Sequence, residues 1–436
     1  MIEDPRSLIA REPMHPRQIL AIATATALNA LDGFDVLSIS FAAPGISKQW
    51  GIDRAALGVV LSMELIGMAI GAFMLGALAD RVGRRPTILG CLIIMASGMG
   101  LAAFSTSVFE LSAVRLFTGL GIGGMLAATN AIVAECSNAR RRNLAVAIMA
   151  GGYPIGAVVG GIIASMLLAV TGRWQAVFEF GAIASAAFIP LVLWWVPETI
   201  AFLCLRQPPG ALDKINRTMM KQGRSPLAVL PPLEQKSSKP VMTELLRPAM
   251  RRITLTLTLT YFLHIMTFYF LMKWIPKVVA DMGYPPAAAG SVLVWANVGG
   301  ATGAITLSIL TQRVSVRRLV AAAMVGGAVA VAAFGQSLGT ITSLSLAAAL
   351  AGFFTNGATA GLYAVFADSF PTRLRASGTG WVIGIGRGGA ALGPILAGLL
   401  FSQNWTLNWV AAVMALGTLL AGALLMSLRR ETPAVA

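Results

Sequence analysis

Two carboxylates lie three residues apart in the middle of the first long apolar stretch of the chain. They are Asp32 and Asp35, in a run from about residue 18 to 43 that is otherwise apolar and long enough to cross a bilayer. A charge at that depth costs about 3 kcal/mol on insertion scales, so two of them in one helix indicate a function. At this spacing both side chains face one direction, and like charges held close oppose each other's ionisation. We therefore expect at least one of them to bind and release a proton near neutral pH.

The composition indicates an integral membrane protein. Of the 436 residues, 56% are hydrophobic and 12% are charged, and apolar runs of about 20 residues recur along the whole chain. We predict an all-α membrane protein with twelve transmembrane helices. The predicted spans cover residues 18–43, 55–79, 86–105, 108–134, 143–170, 174–196, 252–278, 287–311, 317–336, 339–366, 376–401 and 405–428.

The net charge of +15 could indicate nucleic-acid binding, but the positions of the charges argue against it. On one side of the predicted bundle, arginines and lysines cluster in residues 81–85, 140–142, 206–252, 313–318, 373–375 and 429–430. The loops on the other side carry Lys48, Arg54 and Arg173, with Lys277 at a helix end. This is the positive-inside bias, which predicts that both termini are cytoplasmic and that the partner of the basic residues is the lipid bilayer.

A polar, proline-rich stretch separates six predicted spans from the other six. We expect a short interfacial helix over residues 213–221 in this stretch and a flexible tether elsewhere in it. From residues 1–17, which contain no apolar run of signal-peptide type, we expect no cleaved targeting segment before the first span. The predicted organisation is a cytoplasmic N-terminal segment 1–17, a six-helix half 18–196, a cytoplasmic linker 197–251, a second six-helix half 252–428 and a cytoplasmic tail 429–436.

The two halves resemble each other at an offset of about 232 residues. Gly119 and Gly124 match Gly352 and Gly357, the pair Gly156 and Gly160 matches Gly389 and Gly393, and Ala134-Glu135 matches Ala367-Asp368. Repeated halves with a site between them near the midplane are the architecture of secondary transporters.

One loop carries a family resemblance. The segment Gly76-Ala-Leu-Ala-Asp80-Arg81-Val-Gly83-Arg84-Arg85, between spans two and three, resembles the signature loop of the major facilitator superfamily. The resemblance implies the major facilitator fold and a gating role for Asp80, Arg81, Arg84 and Arg85, which hold the outward-open state. The repeat of this loop in the second half has Gln312 where an aspartate is expected, so a symmetric second latch is in doubt.

The motif Asp32-Gly33-Phe34-Asp35 resembles the first-span signature of the aromatic acid:proton symporter family within that superfamily. Span four, from Arg115 to Gly124, and span eleven, with Gly386-Arg387-Gly388, fit the same family. The resemblance implies proton-coupled uptake of an aromatic carboxylate across a bacterial-type inner membrane. We expect no cofactor and a monomer, although the sequence itself leaves the oligomeric state open.

Several further charges lie at the depth of the two aspartates, counted at 1.5 Å per residue. Arg387 is our first choice for the substrate carboxylate, because a guanidinium binds a carboxylate with two hydrogen bonds. Arg115 is the second, with an ion pair to a span-one aspartate as the alternative. Glu64 is expected either at the substrate or in a helix interface. His264 occupies the repeat position of Asp32, and is expected to relay protons or to stack on an aromatic ring.

Aromatic and amide side chains near the same depth complete the predicted site. The aromatic candidates for the substrate ring are Phe34, Tyr153, Trp295, Tyr363 and Trp381, and the amide candidates for ring hydroxyls are Asn130, Asn297 and Asn356. Glu135 and Asp368 end spans four and ten just before arginines that include Arg375, so we expect them in salt bridges of a gate. Glu179 is expected at the interface.

Other classes of function fit the sequence less well. A membrane enzyme is not expected, because the chain has two histidines, no metal-spaced cluster and no nucleophile beside a base. A channel fits the repeat and the isolated charges less well than alternating access does. Two alternatives stay open within the same fold, namely a proton-coupled antiporter that exports organic anions or drugs, and a symporter of a non-aromatic organic acid.

Overall fold

The structure, a computed structural model, describes residues 4–232, 244–336, 339–371 and 374–428. The predicted tail 429–436, Arg373 and part of the predicted linker lie outside these ranges. The main helices, in chain order, are α1 (Pro5–Arg11), α2 (Pro16–Trp50), α3 (Arg54–Val82), α4 (Arg84–Phe104), α5 (Val108–Cys136), α6 (Arg142–Thr171), α7 (Gln175–Trp195), α8 (Ile200–Arg206), α9 (Ala211–Lys221), α10 (Pro248–Asp281), α11 (Pro286–Leu310), α12 (Val316–Phe334), α13 (Ile341–Ser369), α14 (Arg375–Ser402) and α15 (Leu407–Ser427).

Within the described residues, twelve helices are long and apolar enough to cross a membrane, and they are α2 to α7 and α10 to α15. This confirms the predicted fold class. The first span is longer than predicted, because α2 continues through Pro44 to Trp50. A proline in a transmembrane helix frees one carbonyl that neighbouring groups can satisfy, so it need not end the helix.

Short turns join most consecutive spans, so the spans alternate in direction. Gly51, Gly83 and Gly172 lie at such turns with φ of 61°, 116° and 66°, values that residues with a side chain rarely adopt. We call the ends of the spans on the side where α2 begins proximal. The ends on the side where α2 stops and α3 begins are called distal.

The short helices form a small core of their own. Ile9 of α1 packs with Phe202 and Leu203 of α8 and with Ile215 and Met219 of α9. The predicted helix over residues 213–221 is confirmed as α9. The flexible tether predicted around it is wrong for residues 200–206, because the apolar run Ile-Ala-Phe-Leu-Cys-Leu forms α8 and buries one face in this core.

The internal repeat is visible in how the helices pack. A Cβ added to Gly156 of α6 would overlap the backbone of Ala30 in α2, and one added to Gly389 of α14 would overlap the backbone of Phe262 in α10. Small residues allow this close approach of helix backbones in a membrane. Gly67 of α3 meets Leu116 of α5 in the same way that Gly299 of α11 meets Ala349 of α13. Residue pairs about 232 positions apart therefore make equivalent contacts, as the sequence repeat predicted.

The chain divides into two compact units. The first comprises Met1–Ser38, Ile66–Gly160 and Gln175–Ser238, and the second comprises Ile39–Leu65, Gly161–Trp174 and Lys239–Ala436. The second unit thus holds α10 to α15 together with the distal ends of α2, α3 and α6. The halves 18–196 and 252–428 follow the repeat instead, and that division stays a prediction.

Candidate functional site

The paired aspartates of α2 lie inside the first unit. Asp32 is 2% exposed and Asp35 is fully buried. Between them, Gly33 faces α6 so closely that a Cβ would overlap the carbonyl oxygen of Tyr153. Gly181 of α7 approaches Asp35, with its ideal Cβ position 3.4 Å from the carboxylate Oδ1. The glycines therefore let α6 and α7 pack closely around this buried part of α2.

Arg115 of α5 is the cation that binds the backbone of Asp35. Its Nη2 donates a hydrogen bond to the backbone carbonyl of Asp35 at 3.0 Å, and its Nη1 lies 3.1 Å from the sulfur of Met99. The guanidinium lies over the ring of Phe178, 5.3 Å from the ring centroid. Arg115 is fully buried, which favours charge balance within the first unit over direct contact with a substrate.

Three other predicted ligands of the first unit are engaged in helix packing. Phe34 is buried and meets Phe180 edge to face at 5.3 Å. Asn130 is half-buried and donates from Nδ2 to the carbonyl of Leu126 in its own helix at 2.8 Å. Tyr153 is half-buried, with its backbone against Gly33. Asn130 and Tyr153 are both half-buried, and Tyr153 is the one of them whose partly exposed surface includes an aromatic ring.

Sequence reasoning missed Asn29, which lies one helical turn before Asp32. It is buried, and its Nδ2 donates a hydrogen bond to the carbonyl of Met149 in α6 at 2.7 Å. An amide this deep in an apolar span was itself a signal, since a buried polar group needs a partner.

The second unit holds Arg387 among aromatic rings. Arg387 is half-buried in α14, and the missing side chain of the preceding Gly386 leaves room for the ring of Tyr261. The hydroxyl of Tyr261 lies 3.4 Å from that of Tyr363 in α13, whose side chain is 43% exposed. Trp381, one and a half turns before Arg387, has a buried indole N–H with no hydrogen-bond partner among the described residues.

Arg387 and the two tyrosines bring a cation, phenol hydroxyls and ring faces together on three helices, and such a set can bind an aromatic carboxylate. Tyr261 was missed from the sequence. The sequence signal for Tyr261 was its place in the internal repeat, where it is equivalent to Asn29. Trp295 is more than half exposed on α11, Asn297 bonds to Leu293 of its own helix at 2.8 Å, and Asn356 of α13 packs against Gly300.

His264 is fully buried and hydrogen-bonded at both ring nitrogens. Nδ1 lies 2.5 Å from the hydroxyl of Thr418, and Nε2 lies 2.9 Å from the carbonyl of Thr355 and 3.1 Å from the hydroxyl of Thr359. A carbonyl only accepts, so Nε2 carries the proton and Nδ1 accepts from Thr418 in the neutral ring. These contacts favour a structural histidine that joins α10, α13 and α15.

Glu64 is fully buried in the second unit and pairs with a residue that sequence reasoning missed. Its Oε2 lies 3.3 Å from Nζ of Lys273 in α10, which is also fully buried. Lys273 was not among the charges considered at that depth of the bilayer. Its depth of eight residues inside α10 was the overlooked signal.

The signature loop and the end of α7 form a charged cluster at the proximal side of the first unit. Arg84 binds Glu135 of α5 through Nη2 at 2.8 Å and Asp80 through the same nitrogen at 3.1 Å. Glu135 also accepts a hydrogen bond from the hydroxyl of Thr199. The nearby Arg85 donates to the carbonyl of Leu193 at 2.6 Å. Glu135 is therefore in an ion pair, as expected, but with Arg84 rather than with the arginines that follow it.

Glu198, which was assigned to the linker, is the missed member of this cluster. Its carboxylate accepts from the backbone N–H groups of Arg84 at 3.0 Å, Arg85 at 3.3 Å and Thr199 at 3.0 Å. The carboxylate thus caps the N-terminus of α4, where helix donors and the dipole favour an anion. Burial is the largest influence on Glu198 and raises the pKa of its carboxyl above the ordinary value, against these hydrogen bonds.

The remaining predicted gate residues are on the surface. Asp80 has 64% of its side chain exposed, and Arg81, Asp368 and Arg375 are exposed. Among the described residues, no ion pair joins Asp368 to Arg375. The proximal charge cluster therefore differs between the two halves of the repeat.

Comparison with known proteins supports the fold and extends the family resemblance. The family model of the Major Facilitator Superfamily matches residues 25–254 and 257–436. The chain is 32% identical to a gallate transporter of Pseudomonas putida, covering 99% of this chain and 97% of the relative. It is 30% identical to the 4-hydroxybenzoate transporter PcaK of Pseudomonas putida, covering 96% of this chain and 94% of the relative.

A similar relative and a solved structure agree with this. The 3-(3-hydroxy-phenyl)propionate transporter of Escherichia coli is 29% identical, with 93% of each chain covered. The inward open conformation of the xylose transporter XylE from Escherichia coli matches 96% of this chain and 98% of that chain, with a TM-score of 0.72 at 16% identity, a likeness of fold alone. The chain therefore belongs to the Major Facilitator Superfamily.

Proposed function

We propose that this protein is a secondary transporter that takes up an aromatic carboxylate together with protons. The observation that carries the proposal is the pair Asp32 and Asp35, buried in one span with Arg115 against it. Carboxylates inside a membrane bundle mark proton or ion pathways far more often than they serve packing. A change of protonation there alters the charge of the first unit, which is what coupling to a proton gradient requires.

The aromatic nature of the substrate is proposed from the second unit and from the relatives. Arg387 supplies the charge that would bind the carboxylate, and Tyr261, Tyr363 and Trp381 supply ring faces and hydrogen-bond donors beside it. The relatives named above are transporters of gallate, 4-hydroxybenzoate and 3-(3-hydroxy-phenyl)propionate. Tyr153 is the first-unit aromatic we propose at the substrate, while Phe34, Asn130 and Trp295 are weaker candidates on their contacts.

Transport would follow a rocker-switch cycle, in which the repeated halves alternate access to a site near the midplane. Asp80, Arg81, Arg84, Arg85 and Glu135 are proposed to control this cycle at the proximal side, with Asp368 and Arg375 as the counterparts in the second half. His264 is retained as a proton-coupling candidate of lower rank than the two aspartates, because its ring nitrogens are engaged by threonines.

The positive-inside bias supports an inner (plasma) membrane protein with its proximal side in the cytoplasm, so that both termini are cytoplasmic. The proposed partners are a small aromatic acid, protons and lipid. A monomer without nucleic-acid partner, metal or cofactor suffices for this function, and the protein is not proposed as an enzyme.

Two other functions are distinguished by direction and by substrate. A proton-coupled antiporter would export organic anions or drugs, and a symporter of a non-aromatic acid would not need the rings around Arg387. The arginines argue against a cationic drug, which they would repel in a medium of low dielectric constant.

The test uses purified protein in liposomes with an imposed pH gradient. We expect saturable accumulation of a hydroxylated benzoate above the level in protein-free liposomes when the lumen is alkaline, and no protein-dependent accumulation of an aliphatic acid of equal charge such as hexanoate. Accumulation with the opposite gradient polarity would indicate antiport. Equal uptake of hexanoate would remove the aromatic specificity.

A further inference from the structure

The distal half of the second unit contains a buried ion pair that the proposed substrate site does not use. Glu64 of α3 and Lys273 of α10 are both fully buried, with 3.3 Å between Oε2 and Nζ. They lie ten and eight residues inside the distal ends of their helices, at Arg54 and Asp281, which is about 12–15 Å along the helix axis. We call Glu64 and Lys273 the distal ion pair.

Stability alone does not explain this pair. Removing two charges from water costs several kcal/mol per ion, and well-packed apolar residues in their place are often neutral or stabilising. The repeat contains a control, because the positions equivalent to Glu64 and Lys273 are Ala296 and Phe41. Both of these residues are fully buried. The fold therefore packs the equivalent positions of the other half without charges.

Glycines lie at the helix crossings around the distal ion pair. The ideal Cβ position of Gly58 in α3 lies 2.7 Å from the carbonyl oxygen of Pro394 in α14, and that of Gly290 in α11 lies 2.6 Å from the hydroxyl of Ser165 in α6. Gly58 and Gly290 occupy equivalent positions of the repeat, so the two crossings correspond. At Gly58 backbone meets backbone, because the Cα of Gly398 lies 3.2 Å from the same ideal Cβ position, whereas at Gly290 the ring of Phe41 also lies in the contact. The crossing at Gly58 presents no large interlocking side chain, and such a surface can part and meet again without repacking.

We propose that the distal ion pair is the gate that holds the distal ends of α3 and α10 together and that it separates when the distal side opens. The proposal rests on the alternating access of the proposed function. Two opposite charges with no exposed surface attract strongly while water is excluded and weakly once water enters. The pair therefore favours the closed distal side, and its separation is tolerated only in a hydrated, open state. Glu64 is accordingly a gating residue rather than a substrate ligand.

The test measures how accessible the distal side is, with no substrate present. Cys91, Cys136 and Cys204 are replaced by alanine, and Ser165→Cys provides the reporter, because the Ser165 hydroxyl is buried against Gly290 at the corresponding crossing. The rate of labelling by a water-soluble maleimide is followed in nanodiscs. Glu64→Gln should raise this rate by about tenfold or more, since the closed state loses its ion pair while the open state does not.

Two double variants separate gating from folding. Exchange of the charges, Glu64→Lys with Lys273→Glu, should return labelling to within about threefold of the parent, because the pair re-forms in the opposite sense. Glu64→Leu with Lys273→Met removes both charges. This variant should label and transport more slowly than the parent, because separating two apolar side chains exposes them to water without the hydration that charged groups gain. Asp281→Asn is the matched control. It breaks the exposed pair with Arg54 (3.0 Å), which joins the same two helices at their distal ends, and the bond from Lys277 of α10, and it should change labelling little because exposed ion pairs contribute little.

The proposal is overturned if Glu64→Gln folds with the parental labelling rate, or if the apolar double variant transports and labels like the parent. In either case the pair only supports packing. Because labelling needs no substrate, this result is independent of the substrate assignment. Failure of the parent protein to accumulate any aromatic acid would reject the proposed function while leaving the gate intact.

Discussion

Nη2 of Arg115 donates a hydrogen bond of 3.0 Å to the backbone carbonyl of Asp35, and both residues are fully buried. The span-one carboxylates and the span-four guanidinium therefore share one interior, enclosed by Met99 and Phe178. Arg387, in contrast, is half-buried beside Tyr261. Of the two arginines predicted at the substrate, one is part of the packed interior and the other has surface available for a ligand.

This difference gives the first prediction. Arg115→Gln should lower the thermal midpoint strongly, because removing the cation from a buried charged site costs about 3–5 kcal/mol. The double variant with Asp35→Asn should recover part of that loss, since the carboxylate that lost its neighbour is then neutral. Additive effects of the two substitutions in a double-mutant cycle would contradict the coupling of the two residues.

Arg387→Ala should weaken binding of an aromatic acid by about 2–5 kcal/mol, because a desolvated carboxylate is left without its cation. Lysine should restore little, since it lacks the planar fork. The measurement is ligand-induced thermal stabilisation across a panel of benzoates and phenylpropanoids. Arg375→Ala, an exposed arginine on the same helix, is the matched control and should bind as the parent does. Unchanged affinity in Arg387→Ala would contradict this assignment and make Arg115 the first candidate for binding the substrate carboxylate.

Asp80→Asn should slow transport while leaving equilibrium binding intact. Asp80 lies on the surface of the proximal cluster, 3.1 Å from Arg84, so its loss changes the balance between conformational states without touching the ligand. Gln312→Ala, at the repeat position, should do far less, because the charge is already absent there. Initial uptake rates and ligand affinities of both variants provide the check. A loss of affinity in Asp80→Asn equal to that in Arg387→Ala would contradict the assignment.

Glu198 predicts a pH dependence of stability. Burial raises the pKa of its carboxyl, so the folded protein binds this proton more tightly than the unfolded chain does. The contribution to the free energy of unfolding is full below the unfolded value of about 4.3 and is lost as pH rises through the folded pKa. Thermal midpoints should fall across that window. Glu198→Gln cannot ionise and should flatten this part of the profile, and an equally steep profile in the variant would assign the dependence to other groups.

The fold was largely predictable because apolar length, glycine position and the positive-inside bias are local signals. Twelve spans were recognised by length and composition, and the glycines matched by the repeat make equivalent close helix contacts. The end of α2 was missed because a helix can continue through Pro44 when its neighbours satisfy the backbone. Helix α8 was missed because a six-residue apolar run is too short to show a helical period, and its burial depends on packing against α1.

The site was less predictable because depth along a helix does not determine rotation about its axis. Asp35 and Arg115 share one interior, as counting suggested, and Arg387 follows the glycine on which the ring of Tyr261 packs. Counting could not show that the Phe34 ring packs against Phe180 or that threonines engage His264. Glu64 found its partner on a helix more than 200 positions away in sequence, and such pairs depend on tertiary packing.

The central claim is that the span-one carboxylates couple protons to substrate movement. It is tested most directly by Asp35→Asn in proteoliposomes, with accumulation driven by a pH gradient and substrate exchange at equilibrium measured side by side. The account predicts that accumulation is abolished while exchange of labelled for unlabelled acid persists, because an amide cannot change its proton count but leaves the substrate site of the second unit intact. Asp32→Asn should weaken accumulation severely or abolish it. Accumulation at the wild-type level in Asp35→Asn would contradict the account and remove that aspartate from the coupling mechanism.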